Sequence, residues 1–410
     1  MNSLIEFRQK VVDFFECDKA NWLYRALFIV LVSTFVFAGS STVRMTAPIL
    51  FSGFVSDWYN WLGDVGIYLI ILFCFLTKKF SRYEFKVYFL LFVLSLLHGQ
   101  LAAFRWQMMY FLGAALLVKD EKLKSAAALL FWVYIANFIV VISLNALSVI
   151  EPMTRVTRGA MRTSLGFVHP NWTGSVLLVI FLLYLLKQKN QISLLVLIAS
   201  VPLYLLSMHW TDSTTVLVVI TFIVSGILIS MFFEGRRIKL LHFNKNTLVI
   251  LLPFLFLTNS YLLAYFFNSS NSIIELLNRL VTGRIGLAHG FVHRYPITIW
   301  GTHVYINNGN VESMAIHGYR FLDDGFLFSL LNDGIIMTIL RLFYISWFGD
   351  KLIKVGYKYV PIIITGVLLF GFMEILIWFP FWNILFLFGG ILLKQTECQG
   401  ESELIIEGRD

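Results

Sequence analysis

Two arginine-rich stretches carry the side chains best suited to bind an anion. Residues 149–171 contain three arginines spaced three and four residues apart, and residues 267–323 contain four more arginines and four of the chain's eight histidines. Arginine offers a planar, permanently charged fork that grips phosphate or carboxylate with two hydrogen bonds. The chemistry expected of these stretches is therefore recognition of a phosphate or carboxylate group.

The first stretch reads VIEPMTRVTRGAMRTSLGFVHPN and contains Arg155, Arg158 and Arg162. On a short helix, this spacing places all three guanidinium groups on one face. His169 and Asn171 follow, before a long apolar run. Asn171 either caps the next helix, as asparagine does well, or contacts the substrate. For His169 the same two roles are open, and we expect substrate contact.

The second stretch is too long for a structureless loop, and its apolar pattern predicts amphipathic helices on the membrane surface. Arg284 follows Gly283 at a predicted helix start, where free backbone amides and a positive charge suit a phosphate. His289 and His293 lie four residues apart, but no HExxH motif accompanies them, so we expect no metal site. The other candidate substrate contacts in this stretch are Arg279, Arg294, His317 and Arg320.

Three acidic residues are candidates for either catalysis or local structure. Asp323 and Asp324 come at the start of an apolar run, where they either cap a helix or take a proton from a sugar hydroxyl. Glu374 lies within LLFGFMEILIWFPFWN. A carboxylate in such a stretch is costly, so it is either functional or hydrogen-bonded to a neighbouring helix.

These residues must be positioned by membrane-spanning helices. The 410 residues are 58% hydrophobic and 14% charged, and long apolar runs alternate with short charged gaps. Each span needs about 20 apolar residues and must be helical, because lipid offers the backbone no hydrogen bonds. We predict one all-α polytopic membrane domain over residues 1–410, with about twelve spans. The three cysteines show no paired spacing, which argues against a disulfide framework or a zinc site.

The charged gaps between the spans predict the orientation. With both termini in the cytoplasm, all 16 lysines lie on the cytoplasmic side, as the positive-inside rule favours. Arginines on the external side either snorkel at the interface or bind an anion. Because arginines occur on the external side and lysines do not, we favour anion binding. These external arginines are Arg44, Arg105, Arg155, Arg158, Arg162, Arg279, Arg284, Arg294 and Arg320.

Several short motifs resemble those of the Wzy-type bacterial polysaccharide polymerases, which extend O-antigen, capsular or exopolysaccharide chains and are related to the O-antigen ligases. The motifs are RTSLGFVHPN, TGRIGL with a later IWG, and DDGFLFSLLNDG before a final pair of apolar runs. The resemblance covers residues 24–393 in topology, but in motif only the two arginine stretches and Glu374 with Asn383. Asp323 stands where the ligases have a histidine, which favours a polymerase.

The resemblance implies a glycosyltransferase with GT-C-like architecture in the bacterial cytoplasmic membrane, with its active site on the external face. Donor and acceptor would be undecaprenyl-pyrophosphate-linked oligosaccharides, and a chain-length regulator is an expected partner. By motif position, Arg162 and Arg284 match the family's loop arginines and would stabilise the departing diphosphate. Asp323, Asp324 or a loop histidine would take the proton. We expect no bound metal, no cofactor and no nucleic acid.

Two alternative functions are compatible with the same sequence. One is an O-antigen-ligase-like transferase that passes the glycan to a lipid or protein acceptor. The other is a flippase for lipid-linked oligosaccharides, which should carry charged residues inside its spans along a central cavity. Because the predicted spans are nearly free of charge and the charges collect on one external face, we favour the enzyme.

Overall fold

The structure is a computed structural model of the chain and describes residues 2–15, 21–101, 105–157, 160–211, 213–233, 245–306, 321–379 and 382–394. Three of the predicted substrate contacts, Arg158, His317 and Arg320, lie outside these residues. For Arg155 the backbone is described but not the side chain.

The described chain is almost entirely helical, as the apolar composition predicts. Up to residue 211 its helices are α1 Asn2–Phe15, α2 Asn21–Ser33, α3 Val43–Thr46, α4 Ile49–Trp61, α5 Ile67–Thr77, α6 Arg82–Leu101, α7 Arg105–Val118, α8 Leu123–Ala146, α9 Pro170–Gln188 and α10 Leu194–Thr211. Two π-helical segments, Thr34–Gly39 and Leu62–Gly66, extend α2 and join α4 to α5.

Seven further helices of the described chain follow from residue 214 onward. They are α11 Thr214–Phe232, α12 Lys245–Tyr265, α13 Ser272–Leu280, α14 Arg284–Arg294, α15 Gly325–Phe328, α16 Gly334–Lys354 and α17 Val360–Met373. A π-helical segment, Ser329–Asp333, joins α15 to α16, and the 3-10 segments Ile375–Trp378 and Ile384–Phe388 follow α17.

The chain forms two compact units. The first contains α1 to α10 except Leu101, the first residues of α11 and residues 384–394, and the second contains Leu101, the rest of α11 and the described chain from there to Asn383. The first unit therefore holds the 149–171 stretch, and the second holds the 267–323 stretch and Glu374.

Seven helical segments of the described chain are long and apolar enough to cross a membrane. They are Asn21–Gly39, Ile49–Thr77, Leu123–Ala146, Pro170–Gln188, Thr214–Phe232, Lys245–Tyr265 and Gly325–Lys354. Shorter apolar helices cover Met109–Val118, Val360–Met373 and Ile384–Lys394. The protein is thus a helical, multi-pass membrane protein, while the number of twelve spans stays a prediction.

The first arginine stretch forms a β-hairpin instead of the short helix expected from its spacing. Strand β1, Thr154–Thr157, pairs antiparallel with β2, Ala160–Thr163, and Arg155 lies opposite Arg162 in the register. The β-branched residues of β1 favour extended backbone over helix. Consequently, Arg155 and Arg162 are cross-strand neighbours rather than members of one helical face.

The π-helical segment Ser329–Asp333 interrupts the membrane-spanning segment that starts at Gly325. Irregular backbone at membrane depth needs hydrogen-bond partners from within the protein. An irregular segment, residues 298–304, supplies them: the Thr302 amide donates to the Leu331 carbonyl at 2.8 Å. The interruption is therefore a packed feature of the second unit.

Candidate active site

Arg284 is the centre of a largely buried ion cluster in the second unit. Its Nε lies 3.1 Å from Asp323 Oδ2, and its Nη2 lies 3.0 Å from Glu374 Oε1. Its Nη1 donates a hydrogen bond to the Met373 carbonyl oxygen. The side chains of Arg284 and Glu374 are 12% and 6% exposed, so water screens their ion pair only weakly. We call Arg284, Asp323 and Glu374 the Arg284 cluster.

Local backbone geometry places Arg284 at the first position of α14. Gly283, the N-cap residue, has φ of 86°, a left-handed conformation that glycine adopts without a Cβ clash. The Asn278 side chain accepts a hydrogen bond from the Gly286 amide at 3.0 Å and so ties α13 to α14. The Gly283 conformation and the Asn278–Gly286 hydrogen bond together define the turn that positions Arg284.

Glu374 reaches Arg284 because α17 ends one residue before it. Glu374 has extended backbone, with φ of −146° and ψ of 131°. The last carbonyl groups of a helix lack partners within the helix. Arg284 donates a hydrogen bond to one of them, the carbonyl oxygen of Met373. Of the two roles open for Glu374, a hydrogen bond to a neighbouring element is present. This bond leaves a catalytic role open as well.

Asp323 and Asp324 make different contacts just before the span that begins at Gly325. Asp323 pairs with Arg284, whereas the Asp324 side chain caps α15 by accepting a hydrogen bond from the Leu327 amide at 3.0 Å. Burial raises the pKa of Asp323, with the positive charge of Arg284 opposing the rise. Burial also raises the pKa of Asp324, to about 7. A carboxyl group of that pKa both accepts and releases protons near neutral pH.

A small cleft adjoins Arg284 and Asp324. Its volume of about 10 Å³ has room for roughly one water molecule or hydroxyl group. It is lined by Ser260, Leu263, Ala264, Arg284, Ile285, Ala288, Asp324 and Phe372. The cleft therefore presents a guanidinium, a carboxyl and a hydroxyl group to one small space with apolar walls.

Arg162 belongs to the first unit and is held by neutral acceptors. Its Nε donates to the Thr211 carbonyl at 2.8 Å, and its Nη2 donates to Asn171 Oδ1 at 2.7 Å. These two bonds orient the guanidinium. Asn171 thus contacts Arg162, and the helix cap considered for Asn171 is made by His169, whose Nδ1 accepts from the Asn171 amide at 3.0 Å.

The other arginines and histidines of the second stretch that the structure describes have different partners from those of Arg284. Arg279 pairs with Glu275 at 2.9 Å on an exposed part of α13, and Arg294 is exposed at the end of α14. The rings of His289 and His293 lie 4.4 Å apart, and each bonds a carbonyl of α12. Within the described ranges, no three histidine, cysteine, aspartate or glutamate side chains form a group that could hold a metal ion.

A further buried ion pair, between Asp333 and Arg341, was not predicted from the sequence. Arg341 Nη1 bonds to the Asp333 carboxylate and, at 2.8 Å, to Ser329 Oγ. Its guanidinium also lies 5.4 Å from the centroid of the Trp378 ring. This pair lies inside the segment Gly325–Lys354, so the expectation of nearly charge-free spans has an exception here. The available signal was an aspartate and an arginine in one apolar run, where each charge requires a partner.

Comparisons with known proteins add no identity to these clusters. No family model matches the chain, and neither a curated protein nor a solved structure matches it. What the protein does must therefore be argued from the chemistry of its side chains and from the motifs that contain them.

Proposed function

We propose that this protein is a Wzy-type polysaccharide polymerase, which joins undecaprenyl-pyrophosphate-linked repeat units on the outer face of the bacterial cytoplasmic membrane. The observation that carries the proposal is the Arg284 cluster beside the buried Asp324. It brings a cation and proton-accepting carboxylates together in a multi-pass membrane protein. The motifs TGRIGL and DDGF, which supply Arg284 and Asp323, are those that resemble the polymerases.

In the proposed reaction, a sugar hydroxyl of the acceptor attacks C1 of the donor sugar. The new C1–O bond forms as the bond from C1 to the diphosphate oxygen breaks, and the hydroxyl proton moves to Asp323 or Asp324. The acceptor stays on its own lipid and is lengthened, and the donor's lipid leaves as undecaprenyl diphosphate. A single displacement of this kind inverts the configuration at C1.

Arg284 links proton transfer to departure of the diphosphate. In the resting cluster, Asp323 and Glu374 offset its positive charge. When Asp323 takes the proton, its negative charge is lost, and more of the Arg284 charge is available to the diphosphate as that group leaves. A cation held in place before the reaction stabilises developing charge without reorganisation. Glu374 keeps the guanidinium in position throughout.

Arg162 is assigned a phosphate-binding role, because two hydrogen bonds orient its guanidinium and its motif RTSLGFVHPN resembles that of the polymerases. Asn171 positions it, and Arg155, Arg158 and His169 are further candidates for substrate contact. The finer topology belongs to the same proposal: about twelve spans, GT-C-like architecture, cytoplasmic termini and an external active site. A chain-length regulator protein is the proposed partner.

A ligase-like transferase would use the same cluster with a different acceptor, and a flippase would not need it. The Asp333–Arg341 pair is a charged feature within a span, which a flippase requires. However, these two side chains are 2% and 6% exposed and bond to each other, which suits a structural pair better than the wall of a passage. The geometry therefore favours transfer chemistry.

Deletion and complementation in the source bacterium tests the proposal. Arg284→Ala and Arg162→Ala should each abolish long polymer and leave single repeat units linked to lipid. Arg82→Gln is the matched control, because Arg82 is exposed at the start of α6 on the predicted cytoplasmic side. It should leave chain length unchanged. Wild-type chain length in both alanine variants would refute the assignment, and repeat units trapped in the inner leaflet of the deletion strain would favour the flippase.

A further inference from the structure

Arg44 is a partly buried arginine that the proposed reaction leaves unused. It lies in α3, shortly after the membrane-spanning segment Asn21–Gly39. Its guanidinium carbon lies 4.0 Å from the centroid of the Tyr59 ring, within cation–π range. Its Nε is buried, and no described residue accepts a hydrogen bond from it. A buried donor without an acceptor is destabilising, so this site is poorly satisfied by the protein alone.

Arg44 differs in this respect from other partly buried arginines of the described chain. Arg284 and Arg341 have carboxylate partners, and Arg162 has two neutral acceptors. For Arg44, the described residues provide a ring face and no carboxylate within ion-pair distance. Stacking on a ring occupies the face of a guanidinium and leaves its in-plane N–H groups for an anion.

Backbone contacts attach the Arg44 segment to the first arginine stretch. The Thr42 amide donates to the Gly166 carbonyl at 2.8 Å, and Thr46 Oγ1 accepts from the Glu151 amide at 2.9 Å. Both partners belong to residues 149–171. The first unit therefore fixes Arg44 and the hairpin that carries Arg162 on one framework.

Apolar side chains next to Arg44 in the chain are strongly exposed. Met45, Ile49 and Leu50 are 59%, 89% and 91% exposed. In a multi-pass membrane protein, a surface of this kind suits contact with hydrocarbon chains. A guanidinium beside it fits an amphiphile with an anionic head and a long apolar tail, because each part of such a ligand has a matching surface.

We propose that Arg44, stacked on Tyr59, binds the diphosphate head of a polyprenyl diphosphate whose tail lies along Met45, Ile49 and Leu50. The terminal in-plane N–H groups of the guanidinium donate to phosphate oxygens. This choice of ligand rests on the proposed function, since a reaction between two lipid-linked diphosphates requires two diphosphate-binding sites. The Arg44 site supplies one of them.

Calorimetric titration tests the site with farnesyl diphosphate as the probe and the purified protein in phosphatidylcholine nanodiscs. Arg44→Gln should remove one bound equivalent of probe or weaken its binding at least tenfold. Arg44→Lys should restore binding only in part, because the ammonium lacks the fork. Arg82→Gln removes an exposed arginine on the predicted cytoplasmic side and should leave binding unchanged.

Unchanged stoichiometry and affinity in a folded, monodisperse Arg44→Gln protein would overturn the proposal. Displacement of the probe by phosphatidylglycerol at equal concentration would overturn it too, since the site would then belong to ordinary anionic lipid. Failure of the proposed function is distinguishable. If the wild type binds the probe through Arg44 yet forms no polymer, the Arg44 site is confirmed and the polymerase function is wrong.

Discussion

The contacts of Arg284 depend on the planar shape of its guanidinium group. One guanidinium contacts Asp323, Glu374 and the Met373 carbonyl at once. Residue type and position in the sequence singled out Arg284 and both carboxylates. Their pairing could not be foreseen, because it depends on a helix ending at Met373 inside an apolar run.

Arg284→Lys should lower the rate of glycosyl transfer by roughly 100-fold, the usual effect of losing a preorganised donor. An ammonium group is a point charge and cannot satisfy three acceptors in a planar fork. The rate is measured with purified protein and lipid-linked repeat units, with Arg82→Gln as the control. A wild-type rate for the lysine variant would mean that a positive charge alone suffices.

Asp324 should make stability depend on pH. Since burial raises its pKa to about 7, the ionised form is disfavoured in the folded protein. The stability that the neutral form provides is complete at pH below the unfolded pKa and is lost as pH rises towards 7. Asp324→Asn cannot ionise and keeps an oxygen for the Leu327 amide. Relative to wild type, its melting temperature should therefore rise from pH 5 to pH 8.

The full effect of such a shift is about 4 kcal/mol, at about 1.4 kcal/mol for each pKa unit. Thermal unfolding of both proteins at pH 5, 6, 7 and 8 measures the part that falls in this range, about 2.5 kcal/mol. Parallel melting curves of wild type and Asp324→Asn across this range would contradict an elevated pKa. This outcome would also remove Asp324 as a proton acceptor near neutral pH.

Elements were predictable where the pattern is local. Apolar runs predicted the helices, and the long second arginine stretch predicted α13 and α14 as short helices. The interruptions were not predictable, because the partners that satisfy them are remote in sequence. Residues 298–304 bond to the π-helical segment at 329–333, and Arg284 bonds to the end of α17. The hairpin was not predicted, because the arginine spacing was interpreted only for a short helix, whereas the β-branched residues of β1 favour a strand.

Gly301 and Gly334 should tolerate no side chain where the 298–304 segment meets the interruption. Both have positive φ, 89° and 85°, and a Cβ on Gly301 would overlap the Asn332 carbonyl. Gly301→Ala should destabilise the protein by about 3 kcal/mol or more, because backbone atoms cannot move aside as side chains do. Thermal unfolding in detergent measures the loss.

Gly290 provides the matched control for that substitution. It lies within α14, and a Cβ there meets no atom within 4 Å. Gly290→Ala should leave stability unchanged or raise it by up to about 1 kcal/mol, because alanine favours helix. Equal melting temperatures for the Gly301→Ala and Gly290→Ala proteins would contradict the packing of the interruption.

The Asp333–Arg341 pair should show strong coupling. Arg341→Met leaves the buried Asp333 carboxylate without its partner and should cost about 3–5 kcal/mol. Adding Asp333→Asn removes the unpaired charge, so the double variant should recover part of that loss. A double-mutant cycle by thermal unfolding measures the coupling. Strictly additive effects would mean that the two charges do not stabilise each other.

For the molecule as a whole, the sequence predicted a multi-pass helical membrane protein, and the described helices agree. Long apolar runs carry this information directly, since each must be helical to cross lipid. The orientation has a different physical origin, because it follows from lysine placement rather than from any contact within the fold. It stays a prediction and needs a measurement in cells.

Cysteine labelling in intact cells should report the orientation. With Cys17, Cys74 and Cys398 replaced, Ser270→Cys between α12 and α13 should react with a membrane-impermeant maleimide. Asn190→Cys, in the exposed turn between α9 and α10, should react only after permeabilisation. The reverse pattern would place the loop before Arg284 in the cytoplasm and exclude an external active site.

Reconstituted polymerisation tests the central claim most directly, namely that the Arg284 cluster transfers sugar from a lipid diphosphate. Purified protein in proteoliposomes receives lipid-linked repeat units, and both polymer and released undecaprenyl diphosphate are quantified. We predict one released diphosphate for each glycosidic bond with the wild type and with Arg82→Gln, and almost none with Arg284→Ala. Polymer formed by Arg284→Ala at the wild-type rate, or no bond formation by the wild type, would contradict the account.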